Sequence, residues 1–199
     1  MQHLRYILPI LSALYFLFLF LIRSLAVGRQ IGKNPVVLSN ADNAHGLIAK
    51  YFMAGIAMMG LYVAVFAIYP AGYSYFLPMV YMEATGLQAT GLIILVISLV
   101  WTYIAQANMR QSWRIGIDEE QKTELVTTGI FRLSRNPVYV GIIAAATGLF
   151  FVTPNAFTLL FMIMAYMLIQ IQIRLEEEFL LKMHGQSYLD YKAGVRRFI

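Results

Sequence analysis

Residues 138–173 read VYVGIIAAATGLFFV, then Thr153-Pro154-Asn155, then AFTLLFMIMAYMLIQIQI. Two apolar runs parted by a Pro-Asn turn signal must fold back on one another as antiparallel neighbours. Both runs read as apolar helices. A hydrocarbon core of about 30 Å takes roughly 20 apolar residues per helix. The second arm meets that length, and the first is short for a full span. The first arm holds Gly141, Ala144, Ala145, Ala146 and Gly148, small side chains that let helices approach closely. The two arms make a helical hairpin in a membrane.

Three more apolar runs precede it. Leu4 to Leu25 has Arg5 and Arg23 at its ends. It is too long for a signal peptide and no small-residue cleavage site follows, so it is expected to stay as an anchor. Leu47 to Tyr69 ends at Pro70. Ala89 to Ala107 is rich in β-branched residues but too long for a strand. Ala71 to Met82 is apolar, short and interrupted by Pro78, which fits an interfacial or re-entrant piece. The expected fold is all-α: a polytopic membrane protein with about five transmembrane helices, the last two a hairpin, and a cytoplasmic C-terminal helical tail. Composition agrees. The chain of 199 residues is 60% apolar and 13% charged, where a soluble domain is about half apolar and a quarter charged. That excludes a soluble globule and a disordered chain. Zero cysteines exclude a disulfide framework, a thiolate metal site and a cysteine nucleophile.

Basic residues set the expected orientation. Arg23, Arg29, Lys33 and Lys50 follow the first span, and Arg110, Arg114, Lys122, Arg132 and Arg135 follow the third. The tail adds Arg174, Lys182, Lys192, Arg196 and Arg197, whereas Pro70 to Gln88 holds no Lys or Arg. The N-terminus is expected outside and the C-terminus in the cytoplasm, in a prokaryotic inner membrane. Composition shifts near Met109. Residues 1–108 read as N-terminal transmembrane helices, and 109–199 as a region that carries the chemistry.

Polar residues in that second region are few and concentrated. Asp118 to Glu124 reads as a solvated loop. Leu125-Val126-Thr127-Thr128-Gly129-Ile130-Phe131 is a short β-like run meeting a glycine, able to offer backbone groups to a flat ligand such as adenine. In Arg135-Asn136-Pro137-Val138-Tyr139, Pro137 suits the first turn of a helix and Asn136 its N-cap. Such a helix start also attracts a carboxylate, with Arg135 beside it. Three adjacent acids, Glu176-Glu177-Glu178, project about 100° apart, so they cannot all face one site. At least one is expected to face the Asn136 segment. Gln172 and Glu176 share a helix face at i, i+4, the candidate wall of an active site. From Phe179 onward, apolar and basic residues alternate, as in a tail lying on a membrane surface. Scattered His3, His45 and His184 make no metal site, and no phosphate-loop or dinucleotide glycine pattern is present. Neither metal nor nucleic acid is expected.

Together, Leu125 to Phe131 and Arg135-Asn136-Pro137-Val138-Tyr139, with Glu176-Glu177, Gly185, Tyr188, Tyr191 and Val195-Arg196-Arg197, resemble the isoprenylcysteine carboxyl methyltransferases. The related phospholipid N-methyltransferases share the pattern. The resemblance runs from about Ser112 to Ile199. It implies an integral membrane enzyme using S-adenosylmethionine on a lipophilic or lipid acceptor. It further implies that Thr123, Glu124, Leu125 and Val126 line the adenosine. Phe131 stands where the family usually has Tyr, and Asn136, Pro137, Val138 and Tyr139 stand at its His-Pro-x-Tyr motif. Glu176 would meet the cofactor's polar end with Glu177 beside it. Asn136 departs from the family His and cannot titrate. Gln172 stands where the carboxyl methyltransferases place an Arg thought to meet the substrate carboxylate, and it lacks the cationic fork. Arg174 and Trp113 are the other substrate-side candidates, and no catalytic base is named.

The implied function is methyl transfer of the isoprenylcysteine carboxyl methyltransferase kind, with phospholipid (ethanolamine) N-methylation as the alternative. A nicotinamide-dependent membrane reductase and a non-catalytic membrane subunit are further alternatives. The first would need more spans, and the second would scatter its polar residues.

Overall fold

The computed structural model describes residues 2–36, 43–114 and 124–199. The described residues are helical, with no strand; one isolated bridge joins Pro78 and Asn155. Six helices carry the fold. They are α1 (Leu4–Ile31), α2 (Ala44–Ile68), α3 (Thr85–Met109), α4 (Pro137–Val152), α5 (Ala156–His184) and α6 (Gln186–Gly194). Among the described residues, the spans of α1, α2, α3 and α5 are long and apolar enough to cross a membrane. The 16 residues of α4 rise only about 24 Å, so the first hairpin arm is short, as its sequence indicates. These apolar helices make the chain an integral membrane protein.

Local chemistry explains the ends. Gly32, at φ 69°, closes α1 in the left-handed conformation that glycine adopts freely. Asn43 caps α2 by accepting from the Gly46 amide. Asn155 and Thr158 form a reciprocal capping box that starts α5. Asn155 is fully buried, and its Nδ2 also donates to the Tyr62 hydroxyl at 2.8 Å. The hairpin turn is therefore fastened to α2 by a satisfied polar network, the form in which buried polar groups are tolerated.

The Ala71–Met82 stretch lies against this turn. It folds as two 3₁₀ pieces, Pro70–Phe76 and Val80–Met82. Met79 N donates to Pro154 O at 2.9 Å, and Ala156 N to Leu77 O at 3.2 Å. Tyr75 and Tyr81 stay exposed, as suits an aromatic belt at a membrane interface. Beside it, Leu4, Leu8, Phe66, Leu95, Leu149 and Val152 form a cluster joining α1, α2, α3 and α4.

The small residues of α4 serve a seam with α3. A Cβ on Gly91 would lie 2.6 Å from Gly148 O, and one on Gly148 would lie 2.9 Å from Gly91 O. A Cβ on Gly141 would meet Thr102 Oγ1 at 1.9 Å. At the far end of the seam, Trp101 Nε1 donates to Pro137 O at 2.8 Å. Glycine is needed here for close backbone approach, which drives helix pairing where no water is available. Gly148→Ala is expected to cost about 1–3 kcal/mol by overpacking and to lower the melting temperature in detergent. Gly60→Ala, whose new Cβ meets nothing within 4 Å, should leave the melting temperature unchanged or raise it.

Candidate active site

The site lies at the end of the bundle away from the Pro154 turn, where α3 and α5 end and α4 begins. At the end of α3 the backbone turns at Arg110 (φ 49°) into Arg110–Ser112 and then Trp113. Trp113 is 2% exposed and lies beneath the Arg23 guanidinium, 5.9 Å from ring centroid to Cζ. Arg23 also donates to Arg110 O at 2.7 Å, so the first span is bolted to the site by a cation–π contact and a hydrogen bond.

The expected β-like run forms no strand. Residues 124–128 are irregular, and Gly129–Arg132 is a 3₁₀ turn. The reason is a contact that sequence reading missed. Asn108 Oδ1 accepts from Ile130 N at 3.4 Å, and a Cβ on Gly129 (φ 62°) would stand 1.6 Å from that oxygen. Thr123 and the Asp118–Lys122 acidic stretch lie outside the described residues.

Next, the C-terminus returns. Arg135 N donates to Arg196 O at 2.9 Å, and Ser134 Oγ and Asn136 Nδ2 both donate to Arg197 O, at 3.2 and 3.1 Å. Tyr191 Oη donates to Phe131 O at 2.7 Å. Asn136 occupies the N-cap position of α4, but its side chain caps nothing; it is spent on the tail. That corrects the expectation that it would accept from early helix amides.

The three acids of α5 separate as their 100° spacing requires. Glu178 points outward and pairs with Lys182 at 2.8 Å. Glu177, 7% exposed, accepts from Arg135 Nη2 at 3.0 Å and from Arg197 Nε and Nη2 at 3.0 and 2.7 Å, with Lys192 Nζ 3.9 Å away. Arg135 also donates to Lys192 O at 3.0 Å and to Val195 O. Hydrogen bonding to Glu177 pushes Arg197 above its ordinary value. Glu176 turns to α4, where Tyr139 Oη and Gln172 Nε2 (2.8 Å) both donate to its Oε1. No cation pairs with Glu176 among the described residues. Arg174 is folded back on Gln170, donating to its backbone and side-chain oxygens, so it leaves the wall that Gln172 and Glu176 form.

A cavity of about 90 Å³ opens between the ends of α3 and α5, the 124–136 segment and α6. Five of the expected cofactor residues line it: Glu124, Leu125, Val126, Phe131 and Asn136. Met109, Ser112, Arg135, Leu180, Tyr188 and Tyr191 complete the walls, and none of these was among the expected cofactor residues. The tyrosines carried a signal in the tail motif; Met109 and Leu180 carried none. Burial pushes the Tyr188 and Tyr191 phenols up to about 12, so both are neutral hydroxyls. Pro137, Val138, Tyr139, Glu176 and Glu177 do not line the cavity. Asn136 and Tyr139 are one turn apart on α4, and Leu180 and Glu176 one turn apart on α5. The carboxylate therefore sits about 6 Å along the helices from the cavity wall.

Residues 84–187, just over half of the chain, match the family model for phospholipid methyltransferases. The chain belongs to the phospholipid methyltransferase family. The match takes in α3, the cavity segment and both hairpin helices. No curated protein and no solved structure matches. The family is one of methyltransferases, and a lipid substrate and membrane helices agree with it.

Glu177→Ala would leave two guanidinium groups facing one another. Breaking a buried pair in this way costs about 3–5 kcal/mol, and the variant should lose most of its thermal stability. Glu178→Ala, at an exposed pair worth little, should shift the melting temperature by no more than about one degree. Melting curves of the two variants check both outcomes.

Proposed function

We propose that this family member transfers a methyl group from S-adenosylmethionine to the amine of a lipid head group. One observation carries the choice of acceptor: Glu176 is a carboxylate held by two neutral donors, Tyr139 and Gln172, with no cation paired to it among the described residues. An ammonium group supplies what that wall lacks. A lipid carboxylate, the acceptor expected first from the isoprenylcysteine resemblance, fits the wall less well. Its charge would repeat that of Glu176, Gln172 offers no guanidinium, Arg174 is turned away, and Arg135 is spent on Glu177.

The cavity fits the cofactor's chemistry. Leu125, Val126, Phe131 and Leu180 give apolar walls for a purine ring, and Glu124, Asn136 and Tyr191 set polar groups among them. When bound, S-adenosylmethionine supplies an electrophilic sulfonium methyl. What the protein adds is position and proton handling. Leu180 and Glu176 place cavity and acceptor wall one helical turn apart, the alignment that converts an encounter into a near-attack geometry. An ammonium must lose a proton before its nitrogen can attack, and Glu176 Oε2, the oxygen that Tyr139 and Gln172 leave open, is the atom to take it. Tyr139 and Gln172 hold the carboxylate in place through Oε1. We further propose that the cavity end faces the cytoplasm, as the basic residues clustered there favour.

The test uses full-length protein in detergent or nanodiscs with methyl-labelled S-adenosylmethionine. Label should enter phosphatidylethanolamine in preference to an isoprenylcysteine acid. Glu176→Gln should lower that rate by about 10²–10⁴, the usual worth of a general base, with a fold intact by melting curve. S-adenosylhomocysteine should raise the melting temperature and NADPH should not. Preferential labelling of the carboxylate acceptor, or full activity in Glu176→Gln, would contradict the reading.

A further inference from the structure

A second cavity lies at the opposite end of the bundle, beside the Pro154 turn. Its volume is about 70 Å³, and Arg5, Phe66, Pro70 and Tyr73 line it. Arg5 sits in the first turn of α1, half-buried, and its Nη2 donates to Ala67 O at 2.9 Å. That carbonyl is one that the last turn of α2 leaves open, so the bond fastens α1 to α2. It occupies a single guanidinium nitrogen. Arg5 Nε is buried and has no hydrogen-bond partner.

Nothing at this end neutralises the charge. Arg5 is the only Lys or Arg in 2–12, 60–90 and 148–160, and Glu83 is the only acid. Arg5 enters no ion pair among the described residues. Glu83 is instead engaged with the Tyr73 hydroxyl, which also interacts with Asn155 and donates to Pro154 O at 3.4 Å. What Tyr73 offers the cavity is therefore its ring. The first turn of α1 adds the partial positive charge of a helix start. A cation so placed, with donors to spare, calls for an anionic acceptor.

The surroundings say where that anion comes from. Tyr69, Tyr75 and Tyr81 are exposed in the same region, as aromatic rings are at a membrane–water interface. Lipid phosphates lie at that depth. The rings of Phe66, Pro70 and Tyr73 suit the glycerol and first methylenes of a lipid better than a hydrated free ion.

We infer that Arg5, with the walls of Phe66, Pro70 and Tyr73, forms a seat for the phosphate of a membrane phospholipid. The phosphate takes the free N–H groups of Arg5, while Nη2 keeps Ala67 O. The seated lipid ties α1 to α2 and to the 70–76 segment. It is a second lipid site, remote from Glu176 and independent of the acceptor proposed there.

The test uses delipidated full-length protein in detergent and three probes: phosphatidylglycerol, diacylglycerol with the same chains, and inorganic phosphate. None carries an amine, so none is an acceptor for the proposed reaction. At about a hundredfold excess over its dissociation constant, phosphatidylglycerol should raise the melting temperature by about 5–10 °C. The other two should leave it unchanged. Arg5→Gln should lose most of that rise. Arg5→Lys keeps the charge but not the planar set of donors, and it should bind phosphatidylglycerol about tenfold more weakly. It carries the test if Arg5→Gln does not fold. No rise from phosphatidylglycerol in wild type, or an equal rise from diacylglycerol or inorganic phosphate, would overturn the inference. So would an undiminished rise in Arg5→Gln or wild-type affinity in Arg5→Lys.

Discussion

One buried carboxylate organises the site. Glu177 sits two turns before the end of α5, where the helix leaves its apolar run, and it draws in Arg135 from just before α4 and Arg197 from the tail. Arg135, with its side chain 8% exposed, could not rest there alone, because an unpaired buried charge is expensive; Arg197, a third exposed, closes the pair from the solvent side. Once the three are joined, the tail carbonyls of Lys192, Val195, Arg196 and Arg197 fall within reach of Ser134, Arg135 and Asn136. The cavity wall that includes Tyr188 and Tyr191 is then held against the wall that includes Phe131.

The membrane sets the rest. Without water to solvate exposed backbone, spans must be helical, and helices pair by close packing more than by apolar burial. The glycine seam of α3 and α4 supplies that packing, and it decides where α4 begins. Trp101 reaches Pro137 at the site end, and Gly91 meets Gly148 near the turn. Because α4 is short, its first turn comes level with the last polar turns of α5, and Tyr139 meets Glu176. A longer α4 would carry Tyr139 past that carboxylate.

The hairpin, the span positions and the all-helical class were legible in the sequence because each depends on local pattern: apolar run length, Pro154-Asn155, and the Arg and Lys that flank the runs. The separation of Glu176, Glu177 and Glu178 onto three faces was also legible, since helix geometry alone requires it. What each acid meets was not. Asn136 has good capping chemistry, yet it donates to Arg197 O, 61 residues away, and no local rule anticipates a competing partner at that distance. Leu125 to Phe131 has β-like composition, but Asn108 presses on Gly129 and holds the segment in a tight turn. Met109 and Leu180 carry only apolar chemistry, so nothing distinguishes them in sequence from residues that face lipid.

The most direct measurement is hydrogen exchange of the detergent-solubilised chain with and without S-adenosylhomocysteine. Slower exchange should appear together in 124–136 and in 188–197, the two walls that Glu177 joins, with no change in 70–82 at the opposite end. Protection confined to one of the two walls, or appearing around the Pro154 turn, would contradict the account.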